Sequence, residues 1–261
     1  MAPTDLARRA YRTLRRRTRP DLPRLSFLHL PKCGGTSLNA ALNAHYVRAG
    51  YETVGLDAHA SKKAADAVGE TLQDFRSDLY LYYLARERLR YLSGHFTFSE
   101  LAWDVADGRW AFLTMLRDPV ARWYSAYFYG RYKTHSDHFR ITRPLAEHAE
   151  HQWARGPQSM YARFLGVAGE GQVERAIATL ERFDLVGVLE ESETLVRECE
   201  RVLGVGLSLQ RKNASPRSAE EQQDEVTPEI DRLVREIVEP DRRIYDAVRE
   251  RIARRGTWRD R

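Results

Sequence analysis

The stretch FLHLPKCGGTSL, residues 27–38, places a lysine and two hydroxyl side chains around two adjacent glycines. Gly34 and Gly35 allow backbone conformations and a close approach that side chains forbid. If a helix begins after them, its first amides have no internal partner and its dipole adds partial positive charge. This combination suits an anion such as a phosphate group. The candidate ligands are Lys32, Gly34, Gly35, Thr36 and Ser37.

Other interpretations of this stretch remain open. A helix N-cap made by Thr36 or Ser37 after a tight turn would explain the same residues. A Walker A loop is disfavoured because its lysine follows the glycines, whereas Lys32 precedes them. A cysteine phosphatase would use a thiolate at a helix N-terminus, but the loop after Cys33 contains no arginine. We therefore interpret Cys33 as a small loop residue.

A second candidate site lies in FLTMLRDPVARWYSAYFYGR, residues 112–131. An apolar run ends before Arg117, Asp118 can cap a helix, and Pro119 suits the first helical position. Ligands of open α/β sheets bind outside the carboxyl ends of the strands. Arg117 and the Ser125 hydroxyl could therefore bind a second phosphate. In the alternative interpretation, Arg117 forms an ion pair with Asp118 or with another acidic residue. The aromatic residues predicted as core are Trp123, Tyr124, Tyr127 and Phe128.

A third candidate is His95 in YLSGHFTF, residues 91–98. An imidazole titrates near neutral pH and can take a proton from a hydroxyl without a metal. Gly94 would let a substrate approach the ring. The alternative is a structural histidine bonded at both nitrogens.

The motifs HSDH and HAEH contain four further histidines that suggest a zinc site. Metal sites need convergent ligands, usually with cysteine or carboxylate support. We favour a solvated segment, or one that lines an acceptor site, and we predict no metal. These residues are His135, His138, His148 and His151.

The elements that position these residues follow an α/β pattern. Short apolar runs at 25–30, 110–116 and 183–189 alternate with helical patterns, as in buried parallel strands joined by crossover helices. A helix is predicted after the glycines, and another ends at Gly204. The last segment is predicted to be helical in two pieces because Pro240 interrupts it. We expect a three-layer α/β fold with a mostly parallel central sheet.

Charge divides the chain of 261 residues into an arm, residues 1–23, and one predicted domain, residues 24–261. The arm contains seven arginines and two aspartates, so its net charge equals the +5 of the whole chain. We favour a solvated amphipathic helix or a frayed arm, although such an arm could also lie against an acidic membrane surface. A specific nucleic-acid partner is not expected. The sequence shows no secretory signal or membrane-spanning run, and two cysteines imply no disulfide scaffold. We expect a reduced, cytoplasmic protein.

Together, FLHLPKCGGTSL, LSGHFTF and TMLRDPVARWYSAYFY, in that order, resemble the sulfotransferases that use 3′-phosphoadenosine 5′-phosphosulfate (PAPS). The likeness is to the branch related to heparan sulfate 2-O- and 6-O-sulfotransferases. It extends more weakly to FDLVGVLEESE, LQRKNASPR and DRRIY, and so spans roughly residues 25–250. The resemblance implies a P-loop-like sulfotransferase fold.

The resemblance also implies roles for individual residues. Lys32 matches the lysine that stabilises the departing phosphate, and His95 matches the catalytic base. Arg117 and Ser125 match the residues that bind the 3′-phosphate. Cys33 stands where many relatives have threonine, so one hydroxyl contact to the donor is in doubt. The residues expected to bind the donor are Lys32, Cys33, Gly34, Gly35, Thr36, Ser37, Arg117 and Ser125, with Lys212 and Asn213 from a late loop.

The expected reaction moves the sulfo group from PAPS to an acceptor hydroxyl by in-line displacement. The sulfotransferases that the sequence resembles prefer sugar hydroxyls, so a carbohydrate or glycolipid is the first acceptor to test. Two other functions stay open: an ATP-dependent small-molecule kinase, and a noncatalytic module that binds anionic glycans or membranes.

Overall fold

The computed structural model describes residues 21–133, 140–204, 206–207 and 224–259. It is an α/β structure around a five-stranded sheet whose strand pairs are all parallel. The predicted strands at 25–30, 110–116 and 183–189 are confirmed as β1, β4 and β5 with small shifts at their ends. The strands are β1 (Arg24–Leu28), β2 (Glu52–Gly55), β3 (Leu89–Gly94), β4 (Trp110–Leu116) and β5 (Leu185–Val188).

Helices cover both faces of this sheet and connect its strands. The α-helices of the described residues are α1 (Gly35–Arg48), α2 (Ala58–Val68), α3 (Leu72–Ala85), α4 (Leu101–Ala106), α5 (Pro119–Tyr132), α6 (Leu145–Trp153), α7 (Met160–Phe164), α8 (Gln172–Arg182), α9 (Ser192–Leu203), α10 (Pro228–Ile237) and α11 (Glu239–Arg255). Helix α9 ends at Gly204, which has a positive φ, as predicted. The two terminal helices are also confirmed, with Pro240 in the first turn of the second.

The central strand β1 contributes side chains to a core on each face of the sheet. Phe27 belongs to an apolar cluster with residues of α1 and α9, including Leu38 and Leu195. Leu28 belongs to a second cluster with residues of α3, α8 and α11, including Leu84. Since successive strand residues face opposite sides, both faces of the sheet are covered by helices. The result is the predicted three-layer arrangement.

The order of the strands, β2-β3-β1-β4-β5, creates a crevice beside the end of β1. The chain moves from β1 toward β2 on one side and from β4 toward β5 on the other. Loops that leave neighbouring strands in opposite directions separate at the carboxyl edge of a sheet. Residues 29–34 and 117–118 follow these two strands. The fold therefore brings two of the candidate segments together.

Some sequence-based expectations fall outside the described residues, namely those for the arm up to residue 20 and for His135, His138, Lys212 and Asn213. At the end of the arm, Leu22 is buried, and the Tyr46 hydroxyl donates to the Pro23 carbonyl over 2.7 Å. In the described ranges, none of the helices has the length and apolar character needed to cross a membrane.

Candidate functional site

The amino end of α1 lies at the carboxyl edge of the sheet and is not closed by a capping side chain. The helix begins at Gly35, and Gly34, with φ 77°, precedes it as the N-cap. Thr36 and Ser37 are inside the helix, so the interpretation of either as the N-cap is wrong. In α5, by contrast, the Asp118 carboxylate accepts from the Ala121 amide at 2.9 Å. Because its N-cap is a glycine, α1 lacks the N-cap side-chain acceptor that commonly occupies such a helix end.

The two glycines are also required by packing within the protein. A Cβ on Gly35 would lie 2.6 Å from Cδ2 of His29 and 2.9 Å from Cζ of Phe27. A Cβ on Gly34 would overlap the side chain of Leu189, and its positive φ disfavours other residues. The glycine pair therefore lets α1 approach β1 closely, in addition to the access for a ligand that the sequence suggested.

Lys32 lies in this loop in an unusual backbone conformation. Its φ of 64° is in the left-handed region, which among the described non-glycine residues is shared only with Asp107. The ammonium nitrogen is 3.8 Å from the centre of the Tyr129 ring, a cation–π contact with α5. Burial, and then the nearby charge of Arg117, lower the pKa of Lys32 to about 8. Backbone strain of this kind clusters at functional sites.

Arg117 follows β4 directly and reaches the loop that follows β1. Its Nη1 donates to the carbonyl oxygen of Lys32 over 3.3 Å. The alternative in which Arg117 pairs with Asp118 is wrong, because Asp118 forms its ion pair with Arg242 at 2.6 Å. Within the described ranges, neither Lys32 nor Arg117 forms an ion pair with a carboxylate. In the part of the chain that the structure describes, the two cations that follow neighbouring strands thus lie together without an acidic partner.

His95 follows β3 and is oriented by the strand next to it. Its Nδ1 is hydrogen-bonded to the carbonyl oxygen of His29. Because a carbonyl can only accept, Nδ1 carries the proton and Nε2 has the free lone pair. Nε2 has no hydrogen-bond partner among the described residues, so the interpretation in which both nitrogens are bonded is not supported. The ring centres of His29 and His95 are 4.6 Å apart.

Burial and nearby positive charges favour the neutral form of the His95 ring. Burial is the main cause that lowers its pKa below the ordinary value of 6.5, and the charges of Arg76 and Lys32 lower it further. The bond to the His29 carbonyl acts in the opposite direction. Arg76 is also bonded to the backbone here, since its Nη1 donates to the His95 carbonyl over 3.1 Å. The ring can therefore accept a proton at neutral pH, and Lys32 lies within its electrostatic reach.

Cys33 and Ser125 occupy different environments near the same loop. The Cys33 side chain is fully buried, and its Sγ lies 4.0 Å from the Tyr161 hydroxyl. Burial raises the pKa of this thiol to about 12, which agrees with the interpretation of a loop residue rather than a nucleophile. Ser125 is half-buried on α5, one turn before Tyr129. Residues four apart share a helix face, so the serine lies on the side of α5 that Lys32 contacts.

Several residues of this site were not found by sequence reasoning. His29 lies in the first motif, where a histidine between two leucines at the end of an apolar run could have drawn attention to it. Tyr129 could have been found by its spacing of four from Ser125. Arg76 and Tyr161 gave no local signal, because they come from α3 and α7 and reach the site only through the fold.

The histidine-rich segment is described only in part. His148 on α6 packs against Trp123 and Tyr127, with ring centres 5.6 and 5.3 Å apart, and its Nε2 lies 2.9 Å from the Gln152 amide nitrogen. His151, on the same helix, is exposed. In the part of the chain that the structure describes, no three histidine, cysteine or acidic residues are grouped to hold a metal.

Two comparisons of the sequence with known proteins found no match. No protein-family model matches the chain. A search of curated proteins likewise finds no significant match.

Proposed function

We propose that this protein is a sulfotransferase that moves the sulfo group from PAPS to an acceptor hydroxyl. The observation that carries the proposal is the bond between Arg117 and the Lys32 carbonyl, which holds two cations near each other, with no acidic partner for either among the described residues. They lie at the carboxyl ends of neighbouring strands, next to the start of α1, whose N-cap is a glycine. Such a cluster favours a ligand with more than one anionic group.

The donor has two separate anionic ends, and the site offers a group for each. Lys32 and the first turn of α1, from Gly34 to Ser37, would bind the 5′-phosphosulfate. Arg117 and Ser125 would bind the 3′-phosphate, which distinguishes this donor from ATP. The role of Cys33 is limited to its backbone because its side chain is buried. Lys212 and Asn213 lie outside the described residues and keep the nucleotide-binding roles that the resemblance implies.

The proposed reaction is an in-line displacement at sulfur. Nε2 of His95 takes the proton from the acceptor hydroxyl as its oxygen forms a bond to sulfur. The bond from sulfur to the bridging phosphate oxygen breaks, and 3′-phosphoadenosine 5′-phosphate (PAP) leaves with the electron pair. The Lys32 ammonium stabilises the charge on that oxygen. Most of the catalysis in this mechanism is positioning together with neutralisation of charge.

A hydroxyl on a carbohydrate or glycolipid is the proposed acceptor class. Its identity would be found by transfer of radiolabelled sulfate from PAPS to a panel of glycans, lipids and phenols. Binding sites are commonly formed by loops, and fold alone does not determine which hydroxyl such loops select.

Titration calorimetry tests the donor before any acceptor is known. We expect the protein to bind PAP more tightly than ATP with magnesium. Tighter binding of ATP would instead favour the kinase. A noncatalytic anion-binding module predicts strong salt dependence and no change in anion affinity when Lys32 is replaced.

Substitutions then test the two catalytic roles. Lys32→Ala and His95→Ala should each lower turnover by at least about a hundredfold. Lys63→Ala and His59→Ala are matched controls, because both side chains are exposed on α2 and neither is assigned a role in the site. Turnover near the wild-type rate in either site variant would disprove the role of that residue.

A further inference from the structure

The first two turns of α11, formed by the motif DRRIY, contact elements that end beside Arg117. Asp241 of this motif is fully buried at the start of α7. Its carboxylate accepts from the amides of Met160 and Tyr161, at 3.2 and 3.0 Å, and from the Ser159 hydroxyl. Ser159 in turn caps α7 by accepting from the Ala162 amide at 2.9 Å. Helix α11 therefore fixes the position of α7.

Tyr161 of α7 connects this arrangement to the candidate site. Its fully buried hydroxyl accepts from the Arg117 amide at 3.2 Å and also donates to the Arg117 carbonyl. The pairing of β4 with β5 ends one residue earlier, at Leu116 and Val188. One side chain thus satisfies both backbone groups of Arg117 at the point where the strand pairing stops.

The same helix also holds the residue after Arg117. Arg242 forms the ion pair with Asp118, and the Tyr245 hydroxyl donates to Glu190 over 2.8 Å. The other carboxylate oxygen of Glu190 accepts from the Asp118 amide at 3.0 Å. Asp118 caps α5, the helix that contains Ser125. Contacts with α11 therefore help to position both Arg117 and Ser125, the residues proposed to bind the 3′-phosphate.

We propose that Tyr161, held in place by Asp241, is the positioning residue that sets the preference of this site for a nucleotide with a 3′-phosphate. This inference rests on the proposed function. The Arg117 guanidinium donates to the Lys32 carbonyl. The backbone of Arg117, which Tyr161 holds, sets the point from which this side chain extends. Fixing the backbone in advance lowers the ordering cost when a phosphate binds.

The test compares the affinities for PAP and for 5′-AMP, which lacks the 3′-phosphate, in the wild type and in Tyr161→Phe. This variant removes only the hydroxyl and keeps the buried ring. We expect the ratio of the two affinities to fall about tenfold, through weaker PAP binding, while 5′-AMP affinity changes less than twofold. Tyr46→Phe is the matched control, since its hydroxyl is also buried and donates to a backbone carbonyl. It should leave the ratio unchanged.

The outcomes separate this inference from the proposed function. A wild-type protein that binds PAP no better than 5′-AMP overturns both. A wild type that prefers PAP, with an unchanged ratio in Tyr161→Phe, overturns the inference alone. If Tyr161→Phe does not fold, Ser159→Ala decides the question, because it loosens the start of α7 and keeps the tyrosine hydroxyl. Its affinity ratio should also fall, and an unchanged ratio would overturn the inference.

Discussion

At the scale of single residues, burial affects the protonation of Lys32 and His95, and the proposed reaction needs the first charged and the second neutral. Both side chains would be positively charged when protonated, and burial lowers the pKa of each. For His95 this leaves a neutral base at pH 7. For Lys32 it leaves an ammonium that is still mostly protonated at pH 7 and loses its charge near pH 8. The two groups thus have the required protonation states together only in a limited pH range.

This range predicts a bell-shaped dependence of kcat/KM on pH. On the acid side, activity should fall only below pH 6.5, where His95 becomes protonated, because its pKa is lowered from that value. On the basic side, activity should fall near pH 8, as Lys32 of the free enzyme loses its proton. Steady-state rates measured between pH 5 and pH 10 provide the test.

The variant Lys32→Arg tests whether the loss of activity near pH 8 comes from Lys32 or from another titrating group. A guanidinium stays protonated throughout this range, so the fall near pH 8 should disappear while the acid limb remains. If the variant is too slow for rates, the pH dependence of its PAP affinity gives the same comparison. A basic limb that stays near pH 8 in this variant would assign it to a group other than Lys32.

At the scale of elements, strands with continuous apolar runs were predictable, whereas the edge strand β2 was not. Its residues, ETVG, contain no apolar run, because they are only partly buried at the edge of the sheet. The start of α5 could be predicted because its cap is local: Asp118 accepts from an amide three residues ahead, and Pro119 follows it. Of the four aromatic residues predicted as core on α5, Trp123, Tyr127 and Phe128 are buried.

The connection between α7 and α8 leads to a prediction about the segment after His95. Gly166 has a φ of 73°, and a Cβ there would overlap the carbonyl oxygen of Phe98. The Phe98 amide also donates to the Phe164 carbonyl over 2.8 Å. Gly169 has a similar φ of 79° but no atom within 4 Å of such a Cβ, and so is a matched control.

Gly166→Ala should therefore cost more stability than Gly169→Ala. Both variants force alanine into a left-handed conformation, which costs about 1 kcal/mol. The overlap with Phe98 should add about 1–3 kcal/mol for Gly166→Ala alone. The free energies of unfolding, measured in urea, test this difference. Equal destabilisation by the two substitutions would show that the contact with Phe98 is relaxed without cost.

At the scale of the whole molecule, the sequence shows each chemical group but not how the groups meet. Arg117 and Lys32 are 85 positions apart, and His95 and His29 are 66 positions apart, yet both pairs are in contact. Their meeting depends on the strand order, which places β3 and β4 on either side of β1. Strand order is set by long-range pairing, which local patterns do not specify. The contacts of α11 with α7 and Asp118 could not be predicted from the sequence either, because they also join distant parts of the chain.

Because the two cations and the start of α1 come from different parts of the sheet, a ligand that binds them all should stabilise the whole fold. Binding to the folded state alone adds about 2.7 kcal/mol when the free ligand is at a hundred times its Kd. For a chain of this size, this corresponds to a rise in Tm of about 5–10 °C.

Thermal unfolding at matched ligand concentrations tests this expectation. PAP should raise the Tm by that amount, and ATP with magnesium should raise it less, because ATP has no 3′-phosphate for Arg117 and Ser125. Arg117→Ala should lose most of the shift caused by PAP, whereas Arg254→Ala, at an exposed position near the end of α11, should keep it. An equal shift with ATP and PAP would mean that the protein does not recognise the 3′-phosphate, and the assignment of Arg117 would then be wrong.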